Sequence, residues 1–279
     1  MSIFVNTVAI DLFDPMVKQA YQSKGFKFRG TMRERRNVVG ATVKFPKIGK
    51  GIAKQKAVQD DVEPMNLTYS RPTVTLQDWY ASDYSDIFSQ REINFDEIRE
   101  LSEALGSSIG RRADQLAIDA LDASGTTNTI AAGATGFTFA KYTKLNKFFS
   151  KNNVMRGIRR YIAINAEGEE DILNEQKFTD SDFTKKALLD NGSTIDGLTM
   201  FGYTWIVIGD MDEGGMPVSG ATNTAYAFAQ NSMGYAIGMD FSNEVNYIPI
   251  KTSFLATSKY KANAVAIDAE GIVKIDFTV

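Results

Sequence analysis

The 279-residue sequence contains no cysteine and no histidine. Without cysteine the chain can form no disulfide bond, thiolate metal site or thiol nucleophile. Without histidine it can form no imidazole-ligated zinc site, no Ser-His-Asp triad and no histidine-based proton transfer at neutral pH. Any enzyme chemistry would have to use carboxylate, lysine or tyrosine side chains, and we expect no catalytic residue, no metal and no cofactor.

Long hydrophobic runs are also missing. No stretch approaches 18 consecutive apolar residues, and residues 1–6 lack the basic and apolar regions of a secretion signal. We therefore expect no membrane contact and synthesis in a cytoplasm. Apolar residues make up 43% of the chain, which is enough for a substantial core without covalent cross-links.

Positive charge is concentrated near the N-terminus. Residues 1–59 contain twelve Lys or Arg against three Asp or Glu, a net charge of +9, and the remaining 220 residues carry −12. This separation predicts a basic segment that contacts an acidic surface or nucleic acid, with a solvated basic tail as the alternative.

Residues 1–36 have the pattern of an arm. Asp14-Pro15 is a good helix start, and a short helix there would end at Gly25. The basic segment 26–36 that follows has few apolar residues, so we expect it to become ordered against another molecule.

Residues 37–80 predict a long hairpin. Val39 to Phe45 alternate between apolar and polar residues, and a second extended run covers 67–76. The lysines and glycines of 46–56 fall between the two runs, near the tip. Because an isolated hairpin is only marginally stable in water, we expect the hairpin to pack on another surface.

The strongest helix signal lies at residues 95–123. Asn94 is the expected N-cap, and Gly125 is placed to end the helix in a left-handed conformation. Gly106 and Gly110 within it cost helix stability, which indicates bending or close packing. The apolar stripe consists of Phe95, Ile98, Leu101, Leu105, Ile109, Leu116, Ala120 and Leu121.

The sequence that follows the long helix predicts a mixed α/β region with an extended tail. The continuously apolar run 203–208 predicts a central strand. Thr138 is the expected cap of a helix whose apolar face is Phe139, Tyr142, Leu145 and Phe149. The other predicted elements are strand 161–164, helices 169–174 and 181–189, strand 225–229, and extended segments 245–250, 262–267 and 272–277.

Candidate chemical motifs are weak. Lys50 between two glycines lacks the spacing of a phosphate-binding loop. Asp210, Asp212 and Glu213 match a calcium loop only in part, and a surface turn is the preferred interpretation. Asp180 with Asp182 is interpreted as a helix start.

An acidic series leads into the long helix and could in principle supply a carboxylate pair for glycoside cleavage. Its members are Asp83, Asp86, Glu92, Asp96, Glu97, Glu100 and Glu103. They follow one exposed stretch, so a solvated or ion-pairing face is the better interpretation. Trp79 and Tyr80 lie among acidic residues and are interpreted as packing anchors.

The order of these elements resembles that of the major capsid proteins of tailed bacteriophages, which share the Hong Kong 97-type fold. Trp79-Tyr80 with Asp83, and the run 98–105, resemble that family's entry into its spine helix. The run 110–114, Gly-Arg-Arg-Ala-Asp, resembles the second half of that helix, and residues 262–272 resemble the closing strand pair.

The resemblance implies an α+β fold of capsid type. It implies an N-terminal arm at 1–36, an extended E-loop at 37–80, a P-domain at 81–137 with the spine helix at 95–123, an A-domain at 138–244, and returning strands of both domains at 245–279. The implied function is the icosahedral shell of a phage head, self-assembled from hexamers and pentamers around double-stranded DNA. The implied location is the virion.

Contacts between copies are the functional feature that follows from this resemblance. We expect the first eighty or so residues to find their burial partners in other copies, through heterologous contacts that close into rings. The candidate contact residues are Arg29, Arg33, Arg35, Arg36, Lys47, Lys50, Lys54, Lys56, Arg111 and Arg112. The expected partners are copies of the chain, a scaffolding protein, a portal and, through sequence-independent contact, the packaged DNA.

Two other functions fit parts of the sequence. One is the shell protein of an encapsulin-like nanocompartment, which would have the same fold and bind cargo enzymes. The other is a histidine-free, carboxylate-based hydrolase, which would show a deep acidic cleft in a monomer.

Overall fold

The computed structural model describes residues 22–92, 96–154, 157–179, 194–209 and 215–278. The predicted helix that starts at Asp14-Pro15, the predicted helix 181–189 and the acidic turn 210–213 lie outside these ranges. The strands are β1 Arg33–Arg35, β2 Thr42–Lys44, β3 Lys47–Ile48, β4 Tyr69–Ser70, β5 Thr73–Thr75, β6 Gln77–Asp86, β7 Thr129–Ile130, β8 Arg160–Asn165, β9 Thr199–Met200, β10 Tyr203–Ile208, β11 Val218–Ser219, β12 Thr222–Ala229, β13 Met233–Ile248, β14 Ser253–Ala266 and β15 Ile272–Thr278. The helices are α1 Ile87–Glu92, α2 Glu97–Asp122, α3 Phe139–Lys151, α4 Ala166–Asn174 and α5 Gln176–Thr179.

The larger sheet has the strand order β7-β15-β12-β8-β10-β9, and β11 pairs with β12. The predicted strand 203–208 is β10, an internal strand that pairs with β8 on one side and with the short edge strand β9 on the other. Burial on both faces explains the continuous apolar run. Trp205 and Val207 pack into one hydrophobic core, whereas Ile206 and Ile208 pack into a second core on the opposite face. A strand covered on both faces has no polar alternation.

The second sheet has the order β1-β13-β14-β6. β13 and β14 form one long antiparallel hairpin, which confirms the extended tail, and β6 pairs with β14 over residues 77–86. Helix α2 packs on this sheet and contributes Ile109, Ala113 and Ala117 to the same core as Tyr235 and Tyr260.

Helix α2 confirms the predicted long helix with a different start. It runs over Glu97–Asp122, and its N-cap is Asp96, whose carboxylate accepts a hydrogen bond from Arg99 N–H. Asn94, the predicted cap, lies outside the described residues. Gly125 has a φ of 61°, the left-handed conformation expected where the chain turns away after the helix.

Gly110 allows the N-terminal segment to cross α2 at backbone contact. Phe26 N–H donates to Gly110 O at 3.2 Å. A Cβ added at Gly110 would lie 2.1 Å from Lys24 O, and one added at Gly25 would lie 1.9 Å from Gly110 C. Gly25 also has a φ of 69°, a backbone conformation that residues with a side chain rarely adopt. Close packing is therefore the reason for the glycine inside the helix.

The predicted hairpin is present but contains little regular strand. β2 pairs with β5, and β3 pairs with β4, so its two sides run antiparallel between Thr42 and Thr75. We refer to residues 49–68, which lie between β3 and β4, as the hairpin tip.

Candidate functional site

The hairpin tip exposes large apolar side chains. The exposed fractions of Ile52, Val58 and Val62 are 85%, 95% and 79%, and Met65 is also exposed. These side chains enter no core within the described part of the subunit. An apolar cluster on an extended segment indicates a surface that another molecule covers.

The base of the same hairpin is firmly attached to the subunit. Its buried side chains form a small core with β13 and the segment after β14, and Lys47 makes a 2.8 Å ion pair with Asp268. The hairpin is therefore anchored at its base and uncovered at its tip. The members of the small core are Val43, Phe45, Val74, Leu76, Ala236 and Ile267.

The N-terminal segment contradicts one expectation. Phe28 and Met32 are 3% and 1% exposed and belong to the main core, and β1 pairs in parallel with β13. The expectation that residues 26–36 cannot bury themselves, and that the first eighty residues use other copies, is wrong for these residues. Two apolar side chains at the right spacing suffice because α2 and β13 form a groove that receives them. Among the described residues, the expectation remains a prediction chiefly for the hairpin tip, whose apolar side chains are exposed.

Buried polar contacts fix this segment. Lys27 Nζ donates to Asp196 Oδ2 at 2.9 Å and to Val207 O at 2.6 Å. Phe28 N–H donates to Asp114 Oδ1 at 3.0 Å. Burial raises the pKa of Asp114 to about 6, and the backbone hydrogen bonds from Phe28 and Lys27 oppose this rise.

Most of the basic candidate residues have partners inside the subunit. The hydrogen bond to Glu270 raises the pKa of Lys50. The Arg33 guanidinium lies 6.0 Å from the Phe45 ring centroid, and Arg35 and Lys56 are exposed. The other ion pairs are Arg29 with Asp240, Arg36 with Glu34, Lys50 with Glu270, and Lys54 with Glu63.

Arg111 and Arg112 on α2 also make contacts within the subunit. Arg111 Nη1 donates to Gln22 Oε1 at 2.8 Å, so it holds the N-terminal segment. Arg112 stacks over Trp79 with its guanidinium carbon 3.9 Å from the ring centroid, which ties β6 to the helix. Trp79 is therefore a packing anchor, as predicted. The same prediction is wrong for Tyr80, which is 76% exposed.

The acidic series does not form a catalytic pair in the described residues. Asp96 caps α2, Glu97 accepts a hydrogen bond from Ser85, and Glu103 pairs with Lys24 at 3.4 Å. Across the described ranges no cluster of acidic side chains could hold a metal ion. None of the helices described is long and apolar enough to span a membrane.

Other large apolar side chains are exposed on and beside the sheet that contains β6. Tyr80 and Tyr84 on β6 are exposed, as are Phe88 on α1 and Ile250 after β13. Tyr247 on β13 is also exposed, but the strand pairing places it on the opposite face of the sheet from Tyr84. These exposed residues of β6 and α1 were not predicted from the sequence. The sequence of β6 could have indicated this exposed face, since aromatic residues four positions apart on a strand lie on the same face of the sheet.

Comparisons with known proteins agree with this architecture. A family model described as "Phage capsid protein" matches residues 5–279. No curated protein matches the sequence significantly. The solved structure of Mycobacterium phage Che8 matches with a TM-score of 0.70 at 15% identity, covering 97% of each chain. The capsid of Cyanophage P-SCSP1u matches with a TM-score of 0.70 at 14% identity, covering 96% of this chain and 92% of that one. The capsid of a native GTA particle matches with a TM-score of 0.70 at 13% identity, covering 99% and 98%. At these identities the likeness is one of fold.

Proposed function

This chain belongs to the phage capsid protein family and is a major capsid protein of a phage head, and within that role we propose that the hairpin tip is the part of each subunit that holds its neighbour. The exposed apolar side chains of the tip carry this proposal. An anchored base and an uncovered tip are what a subunit needs in order to reach across a boundary without unfolding.

A receiving surface is available on the same molecule. The exposed aromatic residues Tyr80 and Tyr84 of β6 and Phe88 of α1 offer apolar area to a neighbouring tip. Tip and receiving surface are different patches, so each contact is heterologous and successive contacts close into rings. We propose hexamers and pentamers as those rings.

The charged residues add selectivity to these contacts. Arg35 and Lys56 are exposed near the arm and the tip, while Asp83 is exposed on β6, the strand that carries Tyr80 and Tyr84. An exposed lysine on one partner and an exposed aspartate on the other favour the correct pairing. The ten basic candidate residues remain proposed contacts, although most of them also serve inside the subunit.

The remaining assignments follow from the family. We propose a scaffolding protein and a portal as assembly partners, synthesis in the host cytoplasm, and double-stranded DNA as the contents of the shell. The division into arm, E-loop, P-domain and A-domain also remains a proposal. The family is structural, and the caps and ion pairs made by the acidic series support a role without catalysis. The match to phage capsids favours a phage head over a nanocompartment.

Substitution of the tip tests the proposed contact. The triple variant Ile52→Ser, Val58→Ser and Val62→Ser should unfold with the same free energy as the wild type, because exposed side chains contribute little to subunit stability. Its yield of shells, counted by electron microscopy and sedimentation, should fall at least about tenfold, because the apolar contact area is lost.

A matched control is Val218→Ser, which removes a half-exposed valine from β11. It should assemble like the wild type. A normal shell yield from the tip variant would refute the proposed role of the tip.

A further inference from the structure

Helix α3 carries a strong positive charge inside the acidic part of the chain. Residues 123–166 contain seven Lys or Arg and no Asp or Glu, although residues 60–279 together carry −12. Four of the seven are lysines of α3. Lys141 points inward, where its ammonium donates to Thr135 O and Asp276 O.

The other three lysines lie on the outer face of α3. Tyr142, Leu145 and Phe149 form the buried face of the helix. The outer face is a stripe of lysines separated by small residues. Its exposed side chains are Ala140, Thr143, Lys144, Lys147, Ser150 and Lys151.

These lysine charges are not neutralised within the part of the subunit that the structure describes. Lys144, Lys147 and Lys151 make no ion pair there, whereas the hairpin lysines at positions 47, 50 and 54 all do. A fourth cation flanks the stripe, because Lys177 Nζ lies 5.2 Å from the ring centroid of Phe139 at the start of α3.

The composition of this face argues against a protein partner. Protein interfaces are depleted of lysine and depend on buried aromatic or arginine anchors. The exposed side chains of α3 include neither an apolar group larger than alanine nor an arginine. Flexible lysines with small residues between them instead allow a phosphate backbone to approach closely.

The spacing of the lysines fits the same partner. Lys144 and Lys151 are seven residues apart, which is about 10 Å along a helix axis. Phosphates on one strand of B-DNA advance about 3.4 Å along the duplex axis, so the stripe spans about three of them.

We propose that the outer face of α3 binds the phosphate backbone of double-stranded DNA without reading its sequence. This inference rests on the proposed function, since it assumes a shell that encloses DNA, and it assigns α3 to the inner side of that shell. It also moves the DNA contact from the basic arm, in whose described residues most charges are paired, to the body of the subunit.

The test compares two triple variants of the full chain with equal net charge. The first is Lys144→Gln, Lys147→Gln and Lys151→Gln. The control is Lys24→Gln, Lys44→Gln and Lys259→Gln, which removes three exposed or half-exposed lysines elsewhere. Binding of a random-sequence DNA duplex of about 30 base pairs is measured by fluorescence anisotropy over a range of NaCl concentrations.

The α3 variant should bind the duplex at least about tenfold more weakly, and the slope of log K against log salt should fall by about 3. The control should keep most of the wild-type affinity. Equal binding by both variants would overturn the inference.

Shell formation separates this inference from the proposed function. The α3 variant should still form shells. Loss of shells with intact duplex binding would identify the face as a contact between subunits and overturn the inference. Failure of the wild-type chain to form any shell would instead refute the proposed function.

Discussion

At the scale of single residues, the crossing of the N-terminal segment over α2 depends on the absence of one side chain. Gly110 lies where Lys24 O approaches within 2.1 Å of the position that a Cβ would occupy. The obstacle is backbone, which cannot rotate away as a flexible side chain can. The glycine therefore serves packing, and the contact it permits offsets its low helix propensity.

Gly110→Ala should lower the free energy of unfolding of the subunit by about 2–4 kcal/mol, because the segment must move off the helix. Urea denaturation of the unassembled subunit measures the change. Gly106→Ala is the control in the same helix, since its Cβ would meet only the Phe241 ring at 3.2 Å. It should change stability by less than about 1 kcal/mol, and equal losses in the two variants would contradict the crossing as the cause.

Asp114 makes subunit stability depend on pH. Burial raises its pKa to about 6, above the value of an exposed aspartate. The folded state thus holds the proton more tightly, and the stability that protonation contributes is lost as the pH rises through about 6. A shift of about two pKa units corresponds to roughly 3 kcal/mol at most.

Asp114→Asn keeps an oxygen acceptor for Phe28 N–H and cannot ionise. We expect the wild type to lose stability relative to this variant between about pH 4 and pH 6, with a constant difference above about pH 7. Urea denaturation of both proteins at several pH values measures the difference. Parallel stability curves would show that folding does not shift the pKa of Asp114.

At the scale of elements, the sequence predicted those parts whose own periodicity decides their structure. The long helix, the helix at Thr138 and the returning strands were recovered because their apolar spacing is regular over many residues. The neighbours of β10 in its sheet could not be predicted, since strand order is set by partners distant in sequence. The helix start was placed at Asn94 instead of Asp96 because both residue types are good caps.

The candidate site, like the fold, could be predicted from the sequence only in part. The hairpin and its tip were visible as an excursion of alternating residues. The burial of Phe28 and Met32 could not be predicted from the sequence, because their partners in α2 and β13 lie far along the chain. The lysine stripe of α3 was hidden within a net acidic region, and a count of charge over shorter windows would have found it.

The hairpin base and tip should respond differently to truncation. Phe45 is fully buried, and its ring lies 2.9 Å from where Gly234 would carry a Cβ. Phe45→Ala should lower the free energy of unfolding by about 3 kcal/mol and expose the hairpin to protease. Val58→Ala at the tip should change stability by less than about 0.5 kcal/mol. Similar stability of the two variants, measured by urea denaturation, would show that the base is not anchored.

At the scale of the whole molecule, the tip is the part that assembly should alter most. Within residues 51–67 the described backbone makes one hydrogen bond within itself, from Asp60 N–H to Ala57 O. Amide hydrogens of the tip should therefore exchange almost freely in the unassembled subunit and become protected in the shell. Hydrogen exchange with mass spectrometry measures both states, and β12 amides provide an internal reference that stays protected in each. Equally fast exchange of the tip in shells would mean that no neighbour covers it.

The pairing of β1 with β13 joins residues about two hundred positions apart in the chain. A nascent polypeptide cannot form this ladder until β13 has left the ribosome. Phe28 and Met32 consequently remain without their native cover for most of translation. Pairing across such a sequence separation favours slow folding, and the interval before β13 is complete is the period in which exposed apolar side chains favour aggregation.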